Sequence, residues 1–212
     1  PTFDVITPGV AKHEEEIVLA PGAEPAADPN LVLRVAVAAA EFGLPIAPGT
    51  LRNLKKCPIG DRNWTDESRE LFIRLLASGP ALLNVWEDID LIDMPGKLIP
   101  EWLGVRNRPS ASAAHRYTID RHMVEVVTRL GRETPSGGRY DDRHYEALLL
   151  AGILHDIGKR PGVANHAAEG ARHATVVVER MGFDRDIVRW VTLLVREHLT
   201  LSEFATGRNP ND

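Results

Sequence analysis

The sequence is poor in the features that mark several large classes of protein. One cysteine, Cys57, is present among 212 residues, so neither a disulfide framework nor a cysteine-rich zinc site can form. No apolar run reaches the length that spans a bilayer, and the N-terminus lacks the charged-then-apolar pattern of a signal peptide. There is no Gly-rich phosphate loop, no regular alternation of strands with helices and no internal repeat. Positive charge is not in excess either. Lys and Arg number 25 against 30 Asp and Glu, a net charge of -5, which argues against non-specific binding to nucleic acid or to an anionic membrane. These absences predict a cytoplasmic protein with no nucleic-acid or membrane partner. The chain starts without Met and stops in the polar segment Gly207-Arg208-Asn209-Pro210-Asn211-Asp212, as expected of a piece excised from something longer.

What is present suffices for a packed core. The hydrophobic fraction of 43% and the charged fraction of 26% are ordinary for a globular protein. Residues 1–28 are rich in Pro, Ala and Gly and read as a connector. Within them, Gly9 to His13 and Glu16 to Leu19 suggest a short β hairpin around an acidic turn, too small to fold alone. Residues 29–104 read as a helical region. A first helix runs from about Pro29 to Phe42, capped by Asp28 or Asn30, with Leu31, Val32, Val35, Ala38 and Ala39 on one face and Gly43 after it. A second starts at Thr65, and a third spans about Ala81 to Ile92 after the Gly79-Pro80 break. The segments between are expected to be loops.

Residues 105–212 carry the motifs. Helices are predicted from about Ala113 to Leu130, Asp142 to Ile157, Asn165 to Met181 and Asp184 to Leu199, so the fold class is all-α, a helical bundle with a helical extension before it. Seven of the eight histidines lie between His115 and His198. His122 sits between Ile119 and Val126 at helical spacing and so faces the core; His198, four residues after Leu194, is also expected to face inward. His155 and Asp156 close a strongly apolar helix. Imidazole and carboxylate groups on inward faces of several helices can converge on a divalent cation. Such an ion lowers the pKa of water and neutralises phosphate oxygens. His144, His173 and His13 fit no such pattern, and exposed positions are expected for the first two.

The string Leu149-Leu150-Ala151-Gly152-Ile153-Leu154-His155-Asp156-Ile157-Gly158-Lys159 resembles the HD superfamily of metal-dependent phosphohydrolases. That resemblance implies a metal held by His122, His155, Asp156 and a late carboxylate. It also implies a second metal position with His166 and His198, since His166-Ala167-Ala168-Glu169-Gly170-Ala171 looks like the family's His followed by Gly-Ala. Three further stretches, Val105-Arg106-Asn107-Arg108-Pro109, His115 to His122 and Val195-Arg196-Glu197-His198-Leu199, narrow the likeness. They resemble the HD domain of the bifunctional PII uridylyltransferase/uridylyl-removing enzymes in their actinobacterial form. Ala26-Ala27-Asp28-Pro29 and Leu98-Ile99-Pro100-Glu101-Trp102 extend it over most of the chain.

The resemblance implies hydrolysis of a nucleotidyl-tyrosine phosphodiester on the PII signalling protein, with uridylyl or adenylyl as the group removed. Mn or Mg is the expected metal, with Fe, Co or Zn also compatible with the ligand set. Lys159 is the candidate to neutralise phosphate charge, with a plain helix C-terminal cation as its alternative role. Arg116 and Arg121 are candidates for the same task, and Asp120 is either a partner of His122 or an exposed helix residue. The family's transferase motif, a Gly-Ser followed by Asp-x-Asp, has no match: Asp88-Ile89-Asp90 lacks the Gly-Ser. No room remains for glutamine-sensing domains. Two other functions compete, an HD hydrolase acting on a free nucleotide and a non-catalytic regulatory module. The latter draws on one departure. Where the family has a late Asp this chain has Asn209, a weaker ligand for a hard cation, and Asp212 is the nearest substitute. Asn209→Asp is therefore expected to tighten divalent-metal binding in a calorimetric titration. Unchanged affinity would move the role to Asp212 or to neither.

Overall fold

The computed structural model describes residues 2–58, 64–109, 117–131 and 142–200. The chain divides into two compact units, one of residues 1–100 with 127–134 and the other of residues 101–126 with 135–212.

The first unit opens on a sheet of three antiparallel strands in the order β1 (Asp4–Thr7), β2 (Val10–His13), β3 (Glu16–Leu19). The predicted hairpin is β2 and β3, in the register Val10↔Leu19 to His13↔Glu16. The strand β1 was not expected. It is short and ends in a register irregularity between Val5 and Thr7, so its alternation is too brief to stand out from a Pro- and Gly-rich stretch. Val10, Ala11 and Ile17 are fully buried.

The sheet packs on α1 (Leu31–Phe42). This helix has ten consecutive buried residues, Leu31 to Ala40, where periodicity had suggested one apolar face. Helices α3 (Asp66–Leu76) and α4 (Ala81–Asp90) also pack on α1, so it is covered by helices and by the sheet. Gly43 ends it at φ 63°, the left-handed conformation that glycine takes at little cost. Two short helices, α2 (Pro48–Leu54) and α5 (Met94–Leu98), occupy stretches read as loops. Both carry Pro in the first helical turn, where its missing N–H costs nothing, but they are too short for a periodic pattern to register.

A polar cluster ties α1 to α3. Arg34 is 9% exposed, and its guanidinium bonds to Asp28, Glu67 and the carbonyl of Pro8. Thr65 caps α3 as predicted, through a reciprocal capping box with Ser68. Asn30 joins the two helices. Its amide donates to Thr65 Oγ1 at 3.1 Å and Glu67 Oε2 at 2.8 Å, and its oxygen accepts from Ser68 Oγ at 2.6 Å. Asn30 does not cap α1 with its side chain. Asp28 instead accepts the Asn30 N–H at 3.1 Å.

The second unit is helical. A 3-10 turn (Pro100–Gly104) leads towards α6 (Ile119–Leu130), and α7 (Asp142–Leu154), α8 (His166–Arg180) and α9 (Arg185–Glu197) pack on one another. Of the helix expected from Ala113, residues 113–116 lie outside the described residues; Thr118 pairs with Pro109 as an isolated antiparallel bridge, and the helix runs from Ile119. Asn165 caps α8 by accepting the Ala168 N–H, and Asp184 caps α9 by accepting those of Asp186 and Ile187. No helix among the described residues is long and apolar enough to cross a membrane. Among the described residues the protein is helical with one small sheet, the class read from the sequence.

Asn30→Ala removes two donated bonds and leaves the Ser68 hydroxyl without its acceptor. It is expected to cost about 1–3 kcal/mol in urea unfolding. Ser68→Ala added to it should cost much less than Ser68→Ala alone; strict additivity would show that the two side chains do not act together.

Candidate metal centre

The site is built at helix ends. His155 follows the last residue of α7, and His198 follows the last residue of α9. A helix leaves its final carbonyls without intrahelical partners. At both ends the same use is made of them. His155 Nδ1 donates to the carbonyl of Gly152 at 2.8 Å, and His198 Nδ1 donates to that of Val195 at 2.6 Å. A carbonyl can only accept, so each Nδ1 carries the proton, and in the neutral ring Nε2 is the atom left with a lone pair. Both Nε2 atoms face Asp156. His155 Nε2 is 3.6 Å from Asp156 Oδ2, and His198 Nε2 is 3.5 Å from Oδ1. The third imidazole, His166, is the first residue of α8, and its Nε2 is 3.8 Å from Oδ1. His122, on α6, stacks edge-on to His155 with ring centres 5.2 Å apart.

The result is two groups of three that share one carboxylate: His122, His155 and Asp156, then Asp156, His166 and His198. Within each group the candidate ligand atoms all lie within 4.8 Å of one another. Nε2 of His166 and of His198 are buried without a hydrogen-bond partner. Buried polar atoms are normally satisfied, and lone pairs left open around a carboxylate fit a cation. The C-termini of α7 and α9, negative ends of their dipoles, meet the same place and favour positive charge there. The cluster therefore suits a divalent metal.

The electrostatics follow from burial. The Asp156 side chain is 4% exposed. Burial pushes its pKa up, but His198, His155 and Lys159 around it outweigh burial and hold the carboxyl well below the usual range. Burial is the main influence on His155 and takes its imidazole down to about 4, so this ring is a neutral lone-pair donor. His166 is lowered for the same reason. Burial pushes His198 down too, but the facing carboxylate of Asp156 wins and raises it. The 3.5 Å separation with no aligned hydrogen bond makes that attraction one of charge.

His166 depends on close backbone packing. A Cβ on Gly158 would lie 2.3 Å from the Gly170 N and 2.4 Å from the His166 carbonyl oxygen. The turn after His155-Asp156 thus rests directly on the first turn of α8. A sequence shows these two glycines but not that they touch.

Of the other residues singled out, Lys159 comes to the site: its Nζ is 3.2 Å from Asp156 Oδ2. Asp120 is 9% exposed, not a surface residue, and it does not hydrogen-bond His122. Its Oδ2 accepts the Asn107 N–H at 2.9 Å, fixing a backbone turn in which Asn107 has φ 56°, while its Oδ1 has no hydrogen-bond partner. Arg121 reaches Glu125 and the ring of Tyr117. Arg116, Asn209 and Asp212 lie outside the described residues. Leu194 is 40% exposed, so it was a poor guide to His198. The inward direction comes instead from the buried Val191 and Val195, seven and three residues earlier. His173 is not an exposed residue: its side chain is 16% accessible and its Nε2 is 3.0 Å from Glu169. His144 is exposed and stacks on Trp190. His13 is not isolated, with its Nδ1 3.2 Å from the Thr2 carbonyl and its ring against Phe3. The carbonyls of Gly152 and Val195 were missed, though a His directly after a helix end is a signal for them.

Gly158→Ala is expected to push α8 away from Asp156. Melting temperature should fall by the equivalent of about 1–3 kcal/mol, and Mn²⁺ affinity by about tenfold or more. Wild-type values for both would mean that His166 is placed by something else.

No family model matches the chain. Curated relatives do. Bifunctional uridylyltransferase/uridylyl-removing enzymes from Streptomyces coelicolor and Mycobacterium tuberculosis are 40% and 39% identical to it, each over 96% of this chain. The enzyme of that name from Corynebacterium glutamicum is 32% identical over 87% of the chain. The chain spans about a quarter of the length of these relatives, 24–26%. Along 96% of its length it therefore corresponds to one segment of the bifunctional uridylyltransferase/uridylyl-removing enzymes of the actinobacterial type.

Proposed function

We propose that this chain is the hydrolytic segment of such an enzyme, an HD-type phosphodiesterase that removes a uridylyl group from a tyrosine of the PII signalling protein. Residues 105–212 would form the hydrolase, with residues 29–104 a helical region before it and residues 1–28 a connector. The observation that carries the reading is the buried Asp156 shared by two groups of imidazoles. The relatives' names supply the uridylyl group and its removal.

In this reading His122, His155 and Asp156 hold one divalent cation, and Asp156, His166 and His198 a second. Mn or Mg suits the oxygen-and-nitrogen set, and Fe, Co and Zn remain compatible. Bound metal supplies Lewis acidity, neutralising phosphoryl oxygens and lowering the pKa of the attacking water. The protein's own part is preorganisation. The Gly152 and Val195 carbonyls fix the tautomers of His155 and His198, so two lone pairs are aimed before anything binds. Lys159 adds a positive charge beside Asp156, where it can meet the phosphodiester. The tyrosine oxygen leaves as the new P–O bond forms, and product nucleotide is released.

The test is nucleotide release from uridylylated and adenylylated PII with Mn²⁺ or Mg²⁺, alongside free nucleotides as substrates. Metal-dependent UMP release is expected, lost on chelation with EDTA and restored by added metal. Asp156→Ala should reduce the rate by about 100-fold or more, since it removes the ligand common to both metals, while the helical circular dichroism is kept. Release of AMP alone would rename the group removed. Turnover of free nucleotides with none on modified PII, or full activity in Asp156→Ala, would overturn the proposal.

A further inference from the structure

We infer that Lys159 is released by metal: its ammonium neutralises Asp156 until a divalent cation takes that carboxylate, and then binds the anionic phosphate of the substrate. This rests on reading the His/Asp cluster as a divalent-metal centre.

Asp156 Oδ2 is 3.2 Å from Lys159 Nζ and 3.6 Å from His155 Nε2. A cation ligated by His155 and Asp156 on this side takes the same oxygen that the ammonium now faces. A divalent ion and an ammonium on one carboxylate oxygen repel strongly where water is scarce, and the carboxylate side chain is 4% exposed. The ion has His122 and His155 as further ligands and cannot leave cheaply. The ammonium can. Its four-carbon stem is flexible, and the Lys159 side chain is 24% accessible, so one end of its range opens to solvent. Its backbone stays anchored, because the Lys159 N–H donates to the Asp156 carbonyl at 2.9 Å. The displaced charge therefore moves only a side chain's length from the metal, where a substrate phosphate must sit to be polarised. Metal and phosphate binding become coupled through Lys159, beyond any direct contact between the two ligands.

A purely structural role for Lys159 predicts the opposite sign. If the ammonium merely orients Asp156, its removal should weaken metal binding. If metal evicts it, removal should tighten metal binding. The experiment compares the full chain with Lys159→Gln in calorimetric titrations of Mn²⁺ alone, then of inorganic phosphate with and without Mn²⁺. Mn²⁺ is expected to bind the variant about tenfold more tightly. Phosphate is expected to bind it about tenfold more weakly with Mn²⁺ present, and equally to parent without Mn²⁺. Unchanged or weakened Mn²⁺ affinity overturns the inference, and so does a phosphate loss of equal size with and without metal. A second measurement needs no substitution. In the parent chain the NMR signal of the Lys159 ε-methylene is expected to shift saturably on adding diamagnetic Mg²⁺; a signal that stays put while metal binds overturns release. Failure of both chains to bind Mn²⁺ removes the metal centre itself, and the inference with it.

Discussion

A carboxylate taken out of water must be surrounded by positive charge or by donors, and Asp156 is such a group. Its side chain has 4% of its surface accessible, and around it stand His155, His166, His198 and Lys159. Each belongs to a different part of the chain: the end of α7, the start of α8, the end of α9 and the turn after the His-Asp pair. The second unit can thus be understood as a frame that brings four chain segments to one oxygen pair. The contacts between α7, α8 and α9, the Gly158–Gly170 approach and the caps on α8 and α9 all serve that convergence.

The chemistry of the cluster follows from what the imidazoles can and cannot do. With Nδ1 committed to a carbonyl, His155 and His198 each turn Nε2 towards Asp156, the atom a neutral ring offers to a metal. The neutral rings of His155 and His166 cannot balance a buried carboxylate, and the charge that His198 gains beside Asp156 is given up when its Nε2 binds metal. Lys159 provides a full positive charge, and a divalent cation provides more. In the proposed mechanism, competition between those two for Asp156 would link metal loading to phosphate recognition. The ends of α7 and α9 add fixed negative potential, which favours either cation over none.

Much of this was legible in the sequence. The His-Asp pair stood at the end of an unmistakably apolar helix, and His122 fell at helical spacing from Ile119. Caps at Thr65 and stops at Gly43 were readable because they rest on local chemistry. What could not be read depends on contacts distant in sequence. Burial of α1 on all sides, including Arg34, needs the sheet to lie on it, and ten buried residues in a row have no periodicity to announce a partner. The strand β1 and the helices α2 and α5 are too short to carry a pattern. Leu194 was misplaced because α9 shows two apolar stripes, and only packing decides that Val191 and Val195 lie inside while Leu193 and Leu194 stay at the surface. Asp120 was readable as a carboxylate near His122, but its partner, the N–H of Asn107, lies 13 residues earlier in the chain.

In the proposed centre two divalent cations would share Asp156. Crystals grown with Mn²⁺ and measured at the manganese absorption edge address it directly. Two anomalous peaks are expected, one bounded by His122, His155 and Asp156 and one by Asp156, His166 and His198. Ordered manganese elsewhere with no anomalous density touching Asp156 would contradict the proposal.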